Sequence, residues 1–161
     1  MILKFVAFRG KSLVSKAIRF WTRSKGYSHI AILMPNERLI EAWPHKGGIK
    51  SWTDWSDWSA HTPGTKYEIW ELSVSEEIYD YCISYYEKAA AEKIPYDWAG
   101  IIAFVFKTKD RKNKMFCSEI AVTPVVIKKR WIIDPAKIHP ALFVDIMQIA
   151  GAECSVNGIV I

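Results

Sequence analysis

The chain has 161 residues, with 22 Lys+Arg against 17 Asp+Glu, a formal charge of +5 and a pI near 9.1. Half of the residues are hydrophobic and 24% are charged, which excludes a disordered, collagen-like or low-complexity chain. A chain of this length buries roughly 70% of its unfolded surface, so one domain over residues 1–161 is expected, with no need of a metal or disulfide staple.

Residues 2–8 read as a strand ending at Gly10. A helix follows from Ser12 to about Thr22, with Leu13, Val14, Ala17, Ile18 and Trp21 on an apolar face and Lys16, Arg19 and Arg23 opposite. Two short apolar runs, 28–34 and 38–43, flank Pro35-Asn36-Glu37, a turn composition that predicts a hairpin. Gly47-Gly48 opens a loop carrying Trp52, Trp55 and Trp58, and Pro63-Gly64 closes it before a strand at 67–72. Ser73 and Glu76 have capping-box spacing, and Ile78, Tyr81, Cys82, Tyr85, Tyr86 and Ala89 continue at helical intervals to about Lys93.

Pro95 stops that helix, and Asp97 is placed to cap a second apolar one over residues 98–106. A polar loop at 107–114 holds five basic residues. Phe116-Cys117-Ser118-Glu119 opens a short helix limited by Pro124, a further helix follows Pro140, and a last strand spans 158–161. The start of the chain is too interrupted for a secretory segment, and the longest apolar run, nine residues over 98–106, falls short of the roughly 20 that a membrane span needs. A cytoplasmic location is expected.

Cys82, Cys117 and Cys154 are odd in number and lack a CxxC spacing, which argues against a disulfide framework and a zinc ribbon alike. Cys117 differs from the others because it opens a helical segment behind a cationic loop. Unpaired N–H groups and the positive end of the helix dipole favour a thiolate there. Such a nucleophile needs a base, and of His29, His45, His61 and His139 only His29 falls in a predicted strand. If Met34 pairs with Arg38, Ala31 falls opposite Glu41 and His29 opposite Trp43. His29 and Glu41 are then diagonal neighbours on one face, with beta carbons roughly 7 Å apart, within reach of a carboxylate. A register shift of one residue would send Glu41 to the other face. Taken alone, the pair also reads as a hydrogen-bonded core histidine beside a rim carboxylate, and Cys117 as a small buried hydrophobe.

Ser28-His29-Ile30-Ala31-Ile32, Ile40-Glu41-Ala42-Trp43, Pro95-Tyr96-Asp97-Trp98-Ala99-Gly100 and Phe116-Cys117-Ser118-Glu119 together resemble the permuted papain-like amidases of the NlpC superfamily, the YiiX-like branch in particular. The resemblance covers most of residues 1–125. It implies an α+β, circularly permuted papain-like domain with a central antiparallel sheet packed against helices. The histidine strand precedes the cysteine here, as permutation gives, because catalysis depends on where groups meet in space.

By the same resemblance Cys117 is the nucleophile, His29 the general base and then acid, and Glu41 the third member that orients His29. Tyr96 and the backbone N–H of Cys117 would serve the oxyanion. Ala99, Phe116 and Glu119 depart from the ordinary motif at glycine, aspartate and glycine. The implied reaction is hydrolysis of an amide, cell-wall-type peptides among them, through an acyl-enzyme, with no metal and no cofactor. Acyl transfer from or thioester cleavage of a lipid-linked substrate is the alternative within that chemistry, and a non-catalytic peptide- or lipid-binding module is the alternative outside it.

Trp52, Trp55 and Trp58 read as packing over a sheet edge or as an aromatic rim to a groove. The basic loop at 107–114 suits a solvated surface or peripheral contact with anionic substrates or surfaces. With a net charge of only +5 and no nucleic-acid motif, a nucleic-acid partner is not expected.

Overall fold

The run Phe5-Val6-Ala7-Phe8 has no polar residue, and a strand without alternation must be covered on both faces. It forms the middle of β1 (Ile2–Arg9), where all four side chains are fully buried. The structure, a computed structural model, describes residues 1–22, 26–43, 48–51, 61–95, 97 and 115–161. After β1 come α1 (Leu13–Trp21), β2 (His29–Leu33), β3 (Leu39–Trp43), β4 (Gly48–Ser51), β5 (Lys66–Ser73) and α2 (Glu76–Glu92). Then follow α3 (Cys117–Lys129), a 3-10 turn at Pro135–Lys137, α4 (Pro140–Ile149) and β6 (Glu153–Ile159). The architecture is α+β. A six-stranded sheet runs in the order β4-β3-β2-β1-β5-β6, with every neighbouring pair antiparallel.

Alternation along the central strands divides the core in two. Phe5, Ile30, Ile32 and Ile40 share one cluster with Tyr86 of α2, Cys117 and Ile120 of α3 and Phe143 of α4. Val6, Phe8, Ala31, Leu39, Ile69 and Val160 form a smaller cluster. With side chains alternating along each strand, His29 falls on the face of Ala31 and Glu41 on the face of Leu39. The Tyr86 hydroxyl donates to the Ala121 carbonyl at 2.7 Å and ties α2 to α3 inside the larger cluster.

The hairpin register is the expected one. Leu33 lies opposite Leu39 and Ile32 opposite Ile40, and the Met34 N–H donates to the Arg38 carbonyl at 2.9 Å. Glu37 takes a positive φ of 61° to close the turn. Turn residues between two apolar runs fix this register, because one face of each strand is committed to the core.

Elsewhere the structure corrects the boundaries. Residues 48–51 are strand rather than loop. They are too few to show a period, and pairing with β3 from Ile40↔Ser51 to Trp43↔Gly48 defines them. The cap of α2 is Ser75, whose side chain accepts the Ile78 N–H at 3.4 Å, because Ser73 is still the last residue of β5. Pro124 sits inside α3 instead of ending it. A proline there forfeits the bond to the Ile120 carbonyl, at a cost of about 3 kcal/mol. Burial of Val125 and Val126 beyond that turn, at roughly 1.5–3 kcal/mol each, offsets it.

β6 begins at Glu153, not near residue 158, and ends at Ile159. Its polar, largely exposed sequence hides an edge strand that only pairing with β5 reveals. α1 starts after its Ser12 cap as expected. Its apolar face, however, is not packed away: none of its described side chains is buried, and Leu13 and Phe20 are 83% and 74% exposed. The predicted helix over 98–106, the tryptophans Trp52, Trp55 and Trp58 and the basic loop at 107–114 lie outside the described residues.

Candidate active site

The chain is tethered just before β2. The Ser28 N–H donates to the Phe8 carbonyl at 2.9 Å, and the buried Ser28 hydroxyl accepts the Gly10 N–H at 3.0 Å. His29 follows as the first residue of the strand, opposite Phe8 of β1. Its Nε2 lies 2.8 Å from Glu41 Oε2, so the diagonal pair foreseen across the hairpin is in contact. A third group joins them: His61 Nε2 is 3.2 Å from the same Glu41 oxygen. His29, Glu41 and His61 are 6%, 1% and 8% exposed.

Aromatic rings hold these imidazoles. Phe8 stacks on His61 at 3.8 Å between centroids and 14° between planes. Trp43 sets an edge against His29 at 5.1 Å and against His61 at 5.2 Å. His61 carried no signal in the sequence. It belongs to no periodic element, sits just before Pro63-Gly64, and no strand or helix rule places it beside Glu41.

Cys117 arrives from the helix side, as the first residue of α3. Its neighbours in sequence fix that helix start. The Glu119 carboxylate turns back to accept the Phe116 N–H at 3.3 Å, and the Ser118 hydroxyl donates to the Ile138 carbonyl at 2.5 Å. The cysteine is 3% exposed. Interaction with His29 and with the backbone N–H groups of Ile30 and Ser118 favours its charged form. His29 therefore stands between Cys117 and Glu41.

Burial alone would raise the Cys117 pKa. The charge and hydrogen bond of His29, with the two backbone donors, reverse that and hold the thiol below its ordinary value. Burial also opposes charge on His29, but Cys117 first and Glu41 second push it up to about 10. Glu41 loses solvation too, yet hydrogen bonds from both imidazoles keep it well below the usual carboxylate range. Burial drives His61 the other way, and the His29 charge adds to that fall against the pull of Glu41.

These directions favour a thiolate–imidazolium pair beside an ionised Glu41, with His61 as the neutral imidazole donating to that carboxylate. The other cysteines differ. Burial pushes the Cys82 thiol up to about 12, and Cys154 lies exposed on β6 with its pKa raised.

Of the residues singled out from the sequence, Cys117, His29 and Glu41 come together, while Tyr96 lies outside the described residues. Asp97 is buried, its N–H donates to the Met115 carbonyl at 3.1 Å, and its Oδ1 has no hydrogen-bond partner among the described residues. His29, Glu41 and His61 each offer one metal-ligand atom, all within 4.8 Å of one another. Among the described residues no helix is long and apolar enough to cross a membrane.

No protein-family model matches the chain, and no curated protein sequence matches it. Among solved structures it is similar to the crystal structure of metalloprotein yiiX from Escherichia coli O157:H7, with a TM-score of 0.55 and 23% identity over 79% of this chain. The chain spans 65% of the length of that structure. The fold is YiiX-like.

Proposed function

We propose that this protein is a permuted papain-like cysteine hydrolase of the NlpC superfamily that cleaves amides, with Cys117 as nucleophile, His29 as general base and acid, and Glu41 as the group that orients His29. One observation carries the reading: His29 Nε2 lies 2.8 Å from Glu41 Oε2, and Cys117 and Glu41 are the groups that raise the His29 pKa against its burial. A ring so held presents its other nitrogen to the thiol and keeps a fixed tautomer.

The thiolate attacks the carbonyl carbon, forming the C–S bond and an oxyanion. The oxyanion lies at the start of α3, where backbone N–H groups lack helical partners. Collapse of the intermediate breaks the C–N bond, and the imidazolium gives its proton to the departing amine. Neutral His29 then takes a proton from water, whose oxygen attacks the thioester. Collapse releases the carboxylic acid and returns the thiolate–imidazolium pair. Glu41 stays ionised throughout and supports the charge that appears on His29.

Alkylation by iodoacetamide across pH, read by peptide mass spectrometry on the metal-free protein, tests the proposal. Cys117 is expected to react first, with an inflection well below the free-thiol value of about 8.5. Cys154 should follow that ordinary profile or lie above it, and Cys82 should react only after unfolding. A Cys117 inflection at or above 8.5 would remove the nucleophile from the mechanism.

A further inference from the structure

We propose that His29, His61 and Glu41 form a binding site for one divalent transition cation of the zinc type. Two imidazoles and a carboxylate are a donor set that zinc accepts, with a fourth position left for water. The geometry is near what the metal needs. Tetrahedral bonds of roughly 2.0–2.1 Å place ligand atoms about 3.3 Å apart, and Glu41 Oε2 already lies 2.8 and 3.2 Å from the two Nε2 atoms. Admitting the ion takes a widening of these two gaps by a few tenths of an ångström and a drawing together of the wider spacing in the set, whose ligand atoms all lie within 4.8 Å of one another.

The surroundings favour such a set. All three residues are buried, so water competes weakly for the ligand atoms, and with both imidazoles neutral the set carries one negative charge. Phe8 and Trp43 hold the rings, with Phe8 stacked on His61 at 3.8 Å. Beyond its bond to Glu41, His61 supplies the third donor atom that His29 and Glu41 alone lack.

The experiment is a zinc titration of the full chain against a chromophoric chelator, repeated on His61→Phe, which keeps a ring on Phe8, on His61→Asn, and on Cys117→Ser. Expected are one zinc per wild-type chain, at least tenfold weaker binding in both His61 variants and unchanged binding in Cys117→Ser. Cobalt(II) bound to the wild type reports the ligand set without any substitution, and its spectrum should lack a thiolate charge-transfer band. Absence of zinc binding, binding that survives loss of His61, binding lost with Cys117, or a thiolate band would each overturn the site. An ordinary thiol profile in the metal-free protein would sink the hydrolase reading and leave the titration standing.

Discussion

Replacing Cys117 by serine should lower the pKa of His29, because the thiolate is the largest support for charge on that ring. Serine keeps the shape and a hydrogen-bonding oxygen but does not ionise in the accessible range. Unit charges about 4 Å apart interact by about 4 kcal/mol at an effective dielectric near 20, and 1.36 kcal/mol corresponds to one pH unit. The wild-type ring, held up at about 10, should then fall by roughly 2–3 units in Cys117→Ser. Glu41 remains at 2.8 Å and keeps the fall from going further. The assay is a pH titration of the His29 ring by ¹⁵N NMR in chelator-treated protein, with a thermal melt to verify folding. A ring that still titrates near its wild-type pH in a folded Cys117→Ser variant would refute the ion pair, and with it the electrostatic basis of the proposed nucleophile.

Glu41→Gln should destabilise the fold by roughly 3 kcal/mol at pH 7, since it leaves a buried imidazolium without its counter-charge. Because the folded pKa of Glu41 is depressed, its charge stabilises the fold above the unfolded value of about 4.3 and ceases to do so as pH falls. The stability gap between wild type and Glu41→Gln, read from urea midpoints, should therefore narrow as pH drops below about 5; a gap independent of pH would contradict the buried carboxylate. Tyr86→Phe removes the 2.7 Å bond to the Ala121 carbonyl and should cost about 1 kcal/mol in the same assay while leaving the pH profile of Cys117 alkylation unchanged. A shift in that profile would mean that α2 positions the nucleophile.

The hairpin was legible because polar turn residues and apolar strands admit a single register, and that register carried His29 and Glu41 into contact. Cys117 at the head of α3 was legible for a related reason: a helix start has a chemical signature in its N–H groups and in the Ser118-Glu119 pair that follows. What the chain concealed is decided by partners distant in sequence. β4 is too short to show a period and exists through β3. β6 is polar because it lies at an edge, so its pattern resembles a loop. Pro124 was read as a stop, although the valines beyond it bury enough surface to carry the helix through. His61 meets Glu41 across a separation of 20 residues, and no local rule could have paired them.

The balance of charge explains why the buried trio needs its fourth member. A thiolate, an imidazolium and a carboxylate leave one unit of negative charge away from water, and each buried ion costs several kcal/mol unless it is bonded. Cys117 gathers backbone donors from Ile30 and Ser118 and lies at the positive end of α3. Glu41 receives hydrogen bonds from both imidazoles, His29 and His61. Because burial keeps His61 neutral, it can donate without adding a charge that would compete with His29 for the carboxylate. A protonated His61 would divide that support and lower the His29 pKa, weakening the pair with Cys117. The same residual negative charge that requires these donors is what a divalent cation would neutralise, so the electrostatics that ionise the thiol also make the site attractive to metal.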